Sequence, residues 1–356
     1  MKHAIHTGLK SALRLGMASV PRVAYAHFVP RDVIGLCYHL VSDQSSAHVA
    51  HICPFKSTAA FRADMLWLRR HFEIIDYEEV CRRKQTQTKN SRPPVIVTFD
   101  DGYRECLDVI APVLQELHIP AIFFITTHFI DNRELFYRNA TSLCLDALDQ
   151  LDTTEQAAAA QQITQCSGTS ATDFPDIRQW LLGLGPEHGS LIDSTCRTLD
   201  IDIKAFLKER RPYLMSDEIL SLRDAGFTIG AHGRVHCHLA GLPPDQLETE
   251  LAGSCQTVCN LTGDSAVPFA FPFSGHRVDS HNLQQVCTRH RHIGLLFDSR
   301  GILPSEPTTV HRISADAPPA DANAHESTLP KLVQQAYASE IRQQWIAPLK
   351  SWLPLR

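Results

Sequence analysis

The sequence predicts an α/β fold built on parallel strands, a (β/α) barrel, with a doubly wound open sheet as the alternative. Three observations carry this reading. Short apolar runs alternate with helix-period segments along most of the 356 residues. The runs are continuously hydrophobic rather than alternating, as in strands buried on both faces. Two of them end abruptly in acids or histidines, and α/β folds place their chemistry at the C-terminal ends of strands.

The elements follow in order. Val33 to His39 reads as the first core strand, with His39 at its end. Ser57 to His71 is a helix, capped by Ser57 or Thr58, with Phe61, Met65, Leu68 and Phe72 at helical spacing. Phe72 to Ile75 is a short strand and Tyr77 to Arg83 a short helix. A polar linker, Gln85 to Pro94, leads to the central strand. A helix follows from Glu105 to His118, stopped by Pro120. Ala121 to Thr126 is the next strand, completing a strand–helix–strand unit of parallel type. Residues 130–212 break the rhythm and read as a helical insertion, with patches at Leu143–Leu151, Gln156–Gln165 and Ile177–Leu184. Ser216 caps a helix that Gly226 ends, and a strand runs from Phe227 into His232. Pro244 to Leu261 is a helix whose Cys255 and Cys259 share a core-facing side. Pro268–Phe271, His292–Phe297 and Thr309–Ile313 are strands, with a helix from Ser280 to His290 among them. A last helix spans Glu326 to Trp352, with Pro348 as a break and Tyr337, Trp345 and Trp352 as packing residues.

Two strand ends carry the chemistry. Val95-Ile96-Val97-Thr98-Phe99 runs into Asp100-Asp101-Gly102-Tyr103, and Gly102 lets the chain turn directly after the acids. Phe227 to Ala231 runs into His232-Gly233-Arg234-Val235-His236. The four-residue spacing puts His232 and His236 on one side of a helical turn. An acidic doublet alone also caps helices, and a histidine pair alone also decorates surfaces. Together they supply one carboxylate and two imidazoles, a facial set for a divalent metal with open positions for water and substrate. The second carboxylate remains free as a base.

At these residues the chain resembles the polysaccharide deacetylases of carbohydrate esterase family 4. Thr98-Phe99-Asp100-Asp101-Gly102 is similar to the first family motif. His232-Gly233-Arg234-Val235-His236 is similar to the second, with Gly233 in place of the usual Ser or Thr. Phe269-Ala270-Phe271-Pro272-Phe273-Ser274-Gly275 is similar to the third. The resemblance runs from about residue 33 to 315. It implies an irregular barrel of about seven strands and a hydrolase that removes acetyl groups from N-acetylated, or O-acetylated, sugars. It assigns Asp101, His232 and His236 to one divalent metal ion, zinc in the first instance with Co, Ni or Mn as alternatives. Asp100 becomes the general base, and the Phe273 N–H the oxyanion donor, with Tyr103 and His39 facing the same pocket. A late-strand histidine serves the family as general acid, and His311 holds that position here. The family arginine that pairs with the base is absent from the third motif, where Phe271 stands near its place, and Arg312 is the candidate to reach in instead. A deformylase or amidase acting on a lipid-linked sugar, and an inactive sugar-binding module, are the competing readings.

Composition narrows the partners. With 44% hydrophobic and 21% charged residues and a net charge of -5, the chain has the balance of a globular protein and no global basis for nucleic-acid binding. Eleven cysteines without a Cys-x-x-Cys pair read as free thiols of a reducing compartment, predicting a cytoplasmic protein rather than a secreted one. Residues before Asp32 carry Lys2, Lys10, Arg14, Arg22 and Arg31 and no acid. They read as a basic amphipathic helix up to Val20, either in peripheral contact with an anionic membrane through residues 1–28 or packed on the domain. Ala24-Tyr25-Ala26 resembles a signal-cleavage site, but Arg14, Pro21 and Arg22 interrupt the apolar segment it would need. The expected organisation is an extension over 1–30, a barrel over 31–316 holding the 130–212 insertion, and a helical extension over 317–356.

Overall fold

The computed structural model describes residues 33–86, 92–171, 173–304, 306–321 and 325–341. The basic N-terminal segment, the tip of the 85–94 linker, and Trp345, Pro348 and Trp352 lie outside them. Among the described residues, eight strands form one parallel sheet: β1 (Ile34–Tyr38), β2 (Glu73–Ile74), β3 (Pro94–Phe99), β4 (Ala121–Ile125), β5 (Thr228–Ala231), β6 (Val267–Ala270), β7 (Ile293–Asp298) and β8 (Thr309–Ser314). Their order is β1-β8-β7-β6-β5-β4-β3-β2, and β1 also pairs with β3, Ile34 opposite Val95 and Tyr38 opposite Phe99. That pairing closes seven strands into a barrel and leaves β2 as an extra strand on β3. The closed ring excludes the open-sheet alternative.

The helices are α1 (Thr58–His71), α2 (Tyr77–Gln85), α3 (Ala111–Glu116), α4 (Tyr137–Asp149), α5 (Thr153–Ser167), α6 (Phe174–Gly183), α7 (Gly189–Thr198), α8 (Ile203–Arg210), α9 (Ser216–Asp224), α10 (Pro244–Thr262), α11 (Ser280–Arg289) and α12 (Leu329–Ile341). Local chemistry explains most boundaries. Ser57 caps α1, its hydroxyl accepting from the Ala60 N–H at 3.2 Å. A π-helical stretch, Cys106–Ile110, precedes α3. Ser216 is not the cap of α9. Its own N–H donates to Asp131 at 2.7 Å, while Glu218 accepts from the Met215 N–H at 2.8 Å. The cap therefore comes from a carboxylate 85 positions away in the chain, which no local pattern reveals.

The strands are apolar throughout because both faces are buried. One set of side chains, including Ile96, Ile122, Phe124, Ala270, Phe297 and Val310, packs in a small cluster inside the barrel. The alternate set, including Leu36, Val97, Phe99, Phe123, Ile229 and Phe269, joins α1, α3 and α10 in the main core. The insertion has a core of its own around Cys144, Leu148, Ile163, Ile177, Leu181 and Ile192. A fourth cluster, Leu40, Tyr103, Phe129, Phe136, Leu207 and Tyr213, joins the insertion to the rim of the barrel. All eleven cysteines are free, and Cys255 and Cys259 are buried in the core as their shared helix face predicts. Among the described residues no helix is long and apolar enough to cross a membrane.

Phe124 is fully buried inside the barrel and touches the Phe297 ring at a centroid distance of 5.1 Å. Phe124→Ala should therefore lower unfolding free energy by about 3–5 kcal/mol, read from the denaturant midpoint.

Candidate active site at the strand-end rim

Every strand that bears a candidate residue ends on the same rim. His39 follows β1, Asp100 follows β3, His232 follows β5 and Phe271 follows β6. The backbone ladder runs one residue into the site. The Asp100 N–H donates to the Tyr38 carbonyl at 2.9 Å, His232 to Ile125 at 2.9 Å, and Phe271 to Phe297 at 3.0 Å. Beyond that point the chain turns sharply, and three non-glycine residues take left-handed backbone angles: Asp101 (φ 74), His236 (φ 57) and Phe273 (φ 58). Such conformations cost energy and are held only where the surroundings enforce them, commonly at functional sites.

Asp101, His232 and His236 converge, with one donor atom of each within 4.8 Å of the others, all three residues buried. His232 and His236 meet through an irregular loop with Gly233 at φ +74, not across a helical turn as their spacing suggests. The His232 Nδ1 lies 2.9 Å from the Ala270 carbonyl. A carbonyl only accepts, so Nδ1 carries a proton, and Nε2 faces Asp101 Oδ1, 3.4 Å away. His236 Nε2 lies 3.1 Å from the same oxygen, which is buried without a hydrogen-bond donor. Burial pushes His236 down and so favours its neutral form. Burial opposes the charge on Asp101, but the two histidines outweigh it and hold the carboxyl well below its ordinary value. Two imidazole nitrogens and an anionic oxygen crowd one buried space, where a cation would take the place of protons on the histidines, and N, N, O is a zinc-type donor set.

Asp100 faces Arg312 inside the barrel, while its Oδ2 stays 3.8 Å from His232 Nε2. Arg312, fully buried, reaches it from β8 in a two-pronged pair, Nη1 to Oδ1 at 2.6 Å and Nη2 to Oδ2 at 2.7 Å. Nη1 also donates to Thr98 Oγ1 at 3.1 Å, and the guanidinium lies 5.4 Å over the Phe124 ring. Burial opposes the charge on Asp100, and the Arg312 guanidinium overrides it, lowering the carboxyl to about 2. Gly35 makes room for this arginine, since a Cβ there would fall 2.5 Å from Arg312 Cγ. The structure thus brings Arg312 to Asp100, in place of the arginine missing from the third motif.

His311 is not brought to the rim. Successive side chains on a strand point to opposite faces, so the inward Arg312 places His311 outward. It sits opposite Asp298 in the ladder with Glu306 3.5 Å away. His39 occupies the rim instead. Its Nδ1 lies 2.8 Å from Asp316 Oδ2, and its backbone N–H donates to Asp316 Oδ1 at 2.8 Å. A His39 ring nitrogen lies within 4.8 Å of an Asp100 oxygen. Burial works against a charge on His39, but Asp316 wins and holds the imidazole well above its ordinary value. Asp316 was not singled out in the sequence. Its signal is a carboxylate just past the end of a strand, the same signal that Asp100 and Asp101 give.

Tyr103 lies under the rim rather than in the pocket. It is 2% exposed, its ring stacks on Tyr213, and its hydroxyl accepts from Asn139 of α4 at 3.0 Å. The Phe273 N–H, by contrast, makes no hydrogen bond among the described residues, and the Phe273 ring walls the pocket against His236 (4.7 Å between centroids) and His238 (3.9 Å).

A closed parallel barrel with an Asp-His-His cluster and a second, arginine-bound Asp on one rim has the form of an enzyme's active site. The chain belongs to the polysaccharide deacetylase family, whose model matches residues 87–170 and 186–294. A search of curated proteins finds no sequence match. Among solved structures, IcaB from Ammonifex degensii aligns with a TM-score of 0.51 at 15% identity, covering 86% of this chain and 97% of its own. The Streptococcus pyogenes deacetylase PplD, solved with acetate, aligns with a TM-score of 0.50 at 14% identity, covering 79% and 91%. These likenesses establish the shared fold.

Arg312→Met leaves Asp100 buried without its partner and should cost about 3–5 kcal/mol at neutral pH. The folded Asp100 carboxyl, at about 2, lies below its ordinary 3.8. The stability from this pair is therefore present above pH 3.8 and lost as pH falls toward 2. Denaturant titrations should show the gap between wild type and Arg312→Met closing over that window. A constant gap would show that Asp100 is not the group Arg312 holds.

Proposed function

We propose that this protein removes acetyl groups from N-acetylated sugars of an oligo- or polysaccharide, with one divalent metal ion, zinc by its donor set. The observation that carries the reading is the division of labour between the two adjacent acids: Asp101 faces both histidines, while Asp100 is held ionised by Arg312 with one oxygen 3.8 Å from His232 Nε2. Asp101, His232 and His236 would hold the ion, which when bound polarises the acetyl carbonyl and acidifies water beside it. Asp100 accepts the proton of the attacking water. Arg312 acts through Asp100, fixing its direction and its charge. The Phe273 N–H donates to the oxygen that gains charge as the carbonyl carbon becomes tetrahedral. His39, protonated and oriented by Asp316, gives its Nε2 proton to the sugar nitrogen as the C–N bond breaks, leaving acetate and a free amine. His39 supports this role better than His311 because it shares the rim with Asp100 and carries a carboxylate partner.

Three outcomes test this. Asp100→Asn should still bind one metal by elemental analysis but release no acetate from N-acetylglucosamine oligomers. Metal without acetate in both wild type and variant would redirect the search to formyl or lipid-linked substrates, and no metal in either would remove the catalytic reading. His39→Gln should lower kcat by about 10²–10⁴-fold, whereas His311→Gln should leave it nearly unchanged. A proton donor works only below its pKa, and Asp316 raises that of His39. Asp316→Asn should therefore move the alkaline limb of the kcat–pH profile to lower pH.

A further inference from the structure

The metal loop contains a feature that the three donor residues do not explain. Its carbonyls bond to the segment after β4, Gly233 to the Thr127 N–H at 3.1 Å and Arg234 to the His128 N–H at 2.9 Å. Two of its N–H groups, those of Arg234 and Val235, point the other way and converge on a single oxygen, Glu250 Oε2, at 2.8 and 3.3 Å. Successive N–H groups aimed at one point make a concave anion site, and here the anion is a side chain of α10. Glu250 is 8% exposed and forms no ion pair with a basic side chain among the described residues. The Cys237 thiol, in the same loop, also bonds to this carboxylate.

Gly233 completes the arrangement. A Cβ there would lie 3.1 Å from Pro272 Cγ and 3.3 Å from Glu250 Oε2, on backbone at φ +74. The missing side chain is what lets the carboxylate approach the loop. This is the position where the resembled family carries Ser or Thr.

We propose that Glu250 is a positioning residue for the metal centre. It clamps the 233–235 backbone, holds His236 in its left-handed conformation and adds a negative charge behind the ligands. Gly233 and Glu250 act as a pair, the glycine giving up a side chain so that the helix can supply an anchor. The proposal rests on the metal reading above, and the test separates the two.

The test is zinc affinity of the metal-free protein, measured by competition with a chromophoric chelator, alongside acetate release. Glu250→Ala should weaken zinc binding by about 10–100-fold and lower acetate release more at limiting than at saturating zinc. Glu250→Gln keeps an oxygen for the two N–H groups and should recover most of the loss. Gly233→Ser should weaken binding in the wild-type background but cost clearly less in Glu250→Ala, because the two changes break one interaction. Wild-type zinc affinity in a folded Glu250→Ala, or strict additivity with Gly233→Ser, overturns the proposal. If Glu250→Ala does not fold, unchanged affinity in Gly233→Ser overturns it. A wild-type protein that binds no zinc would instead refute the metal site itself.

Discussion

The buried pair between Asp100 and Arg312 is the constraint around which the rest of the site is arranged. A fully buried guanidinium is tolerable only with its charge met and most of its donors used; here Nε has no partner among the described residues. Asp100 meets the charge with both oxygens, Thr98 takes one further bond, and the Phe124 ring lies beneath. The pair spans the barrel from β3 to β8, across β1, and the absence of a side chain on Gly35 opens its path. The same pair gives Asp100 a partner of its own, although its Oδ2 still lies 3.8 Å from His232 Nε2. Adjacent acids would otherwise raise each other's pKa and compete for one proton. Here one acid is paired with Arg312 and the other faces both histidines.

Backbone strain sits where that division is made. Asp101, His236 and Phe273 all adopt left-handed angles, each within a few residues of a strand end. The ladder delivers the chain straight to the rim, and a reversal within one or two residues needs such angles. Neighbouring interactions secure each one: the histidines about Asp101, Glu250 beneath the loop that ends at His236, and the His236 and His238 rings against Phe273.

The helical insertion is tied to this rim by polar as well as apolar contacts. Asn139 of α4 is fully buried and bonds the His48 carbonyl, the Tyr103 hydroxyl and the Tyr213 hydroxyl, while Ser142 bonds the Ala47 carbonyl at 2.6 Å. A buried amide with these partners sets one docking of the insertion. It places Phe136 against the His236 ring at 4.5 Å, so the insertion forms part of the wall beside the Asp101–His232–His236 cluster. The Ala-, Gln- and Thr-rich composition of residues 130–212 predicts helices but contains nothing about that wall.

Much of this molecule is legible in one dimension. Continuous apolar runs give the strands to within a residue or two, since burial on both faces leaves no freedom in side-chain type. Ser57 starts α1 through a bond to its own next turn, and strand-end acids and histidines mark the rim. What only the tertiary structure decides is pairing across the chain. Arg312 and His311 are neighbours in sequence, yet strand alternation sends one into the barrel and the other out of it. His39 and Asp316 stand 277 positions apart and meet because β1 lies beside β8. His232 and His236 have helical spacing but meet through a loop, because Glu250 and Gly233 hold its backbone. The sequence by itself determined which residues could do the chemistry, since hydrophobic period and residue type are local properties. The closed barrel decided which of them meet, since contact depends on strand order and facing, and neither is encoded by near neighbours.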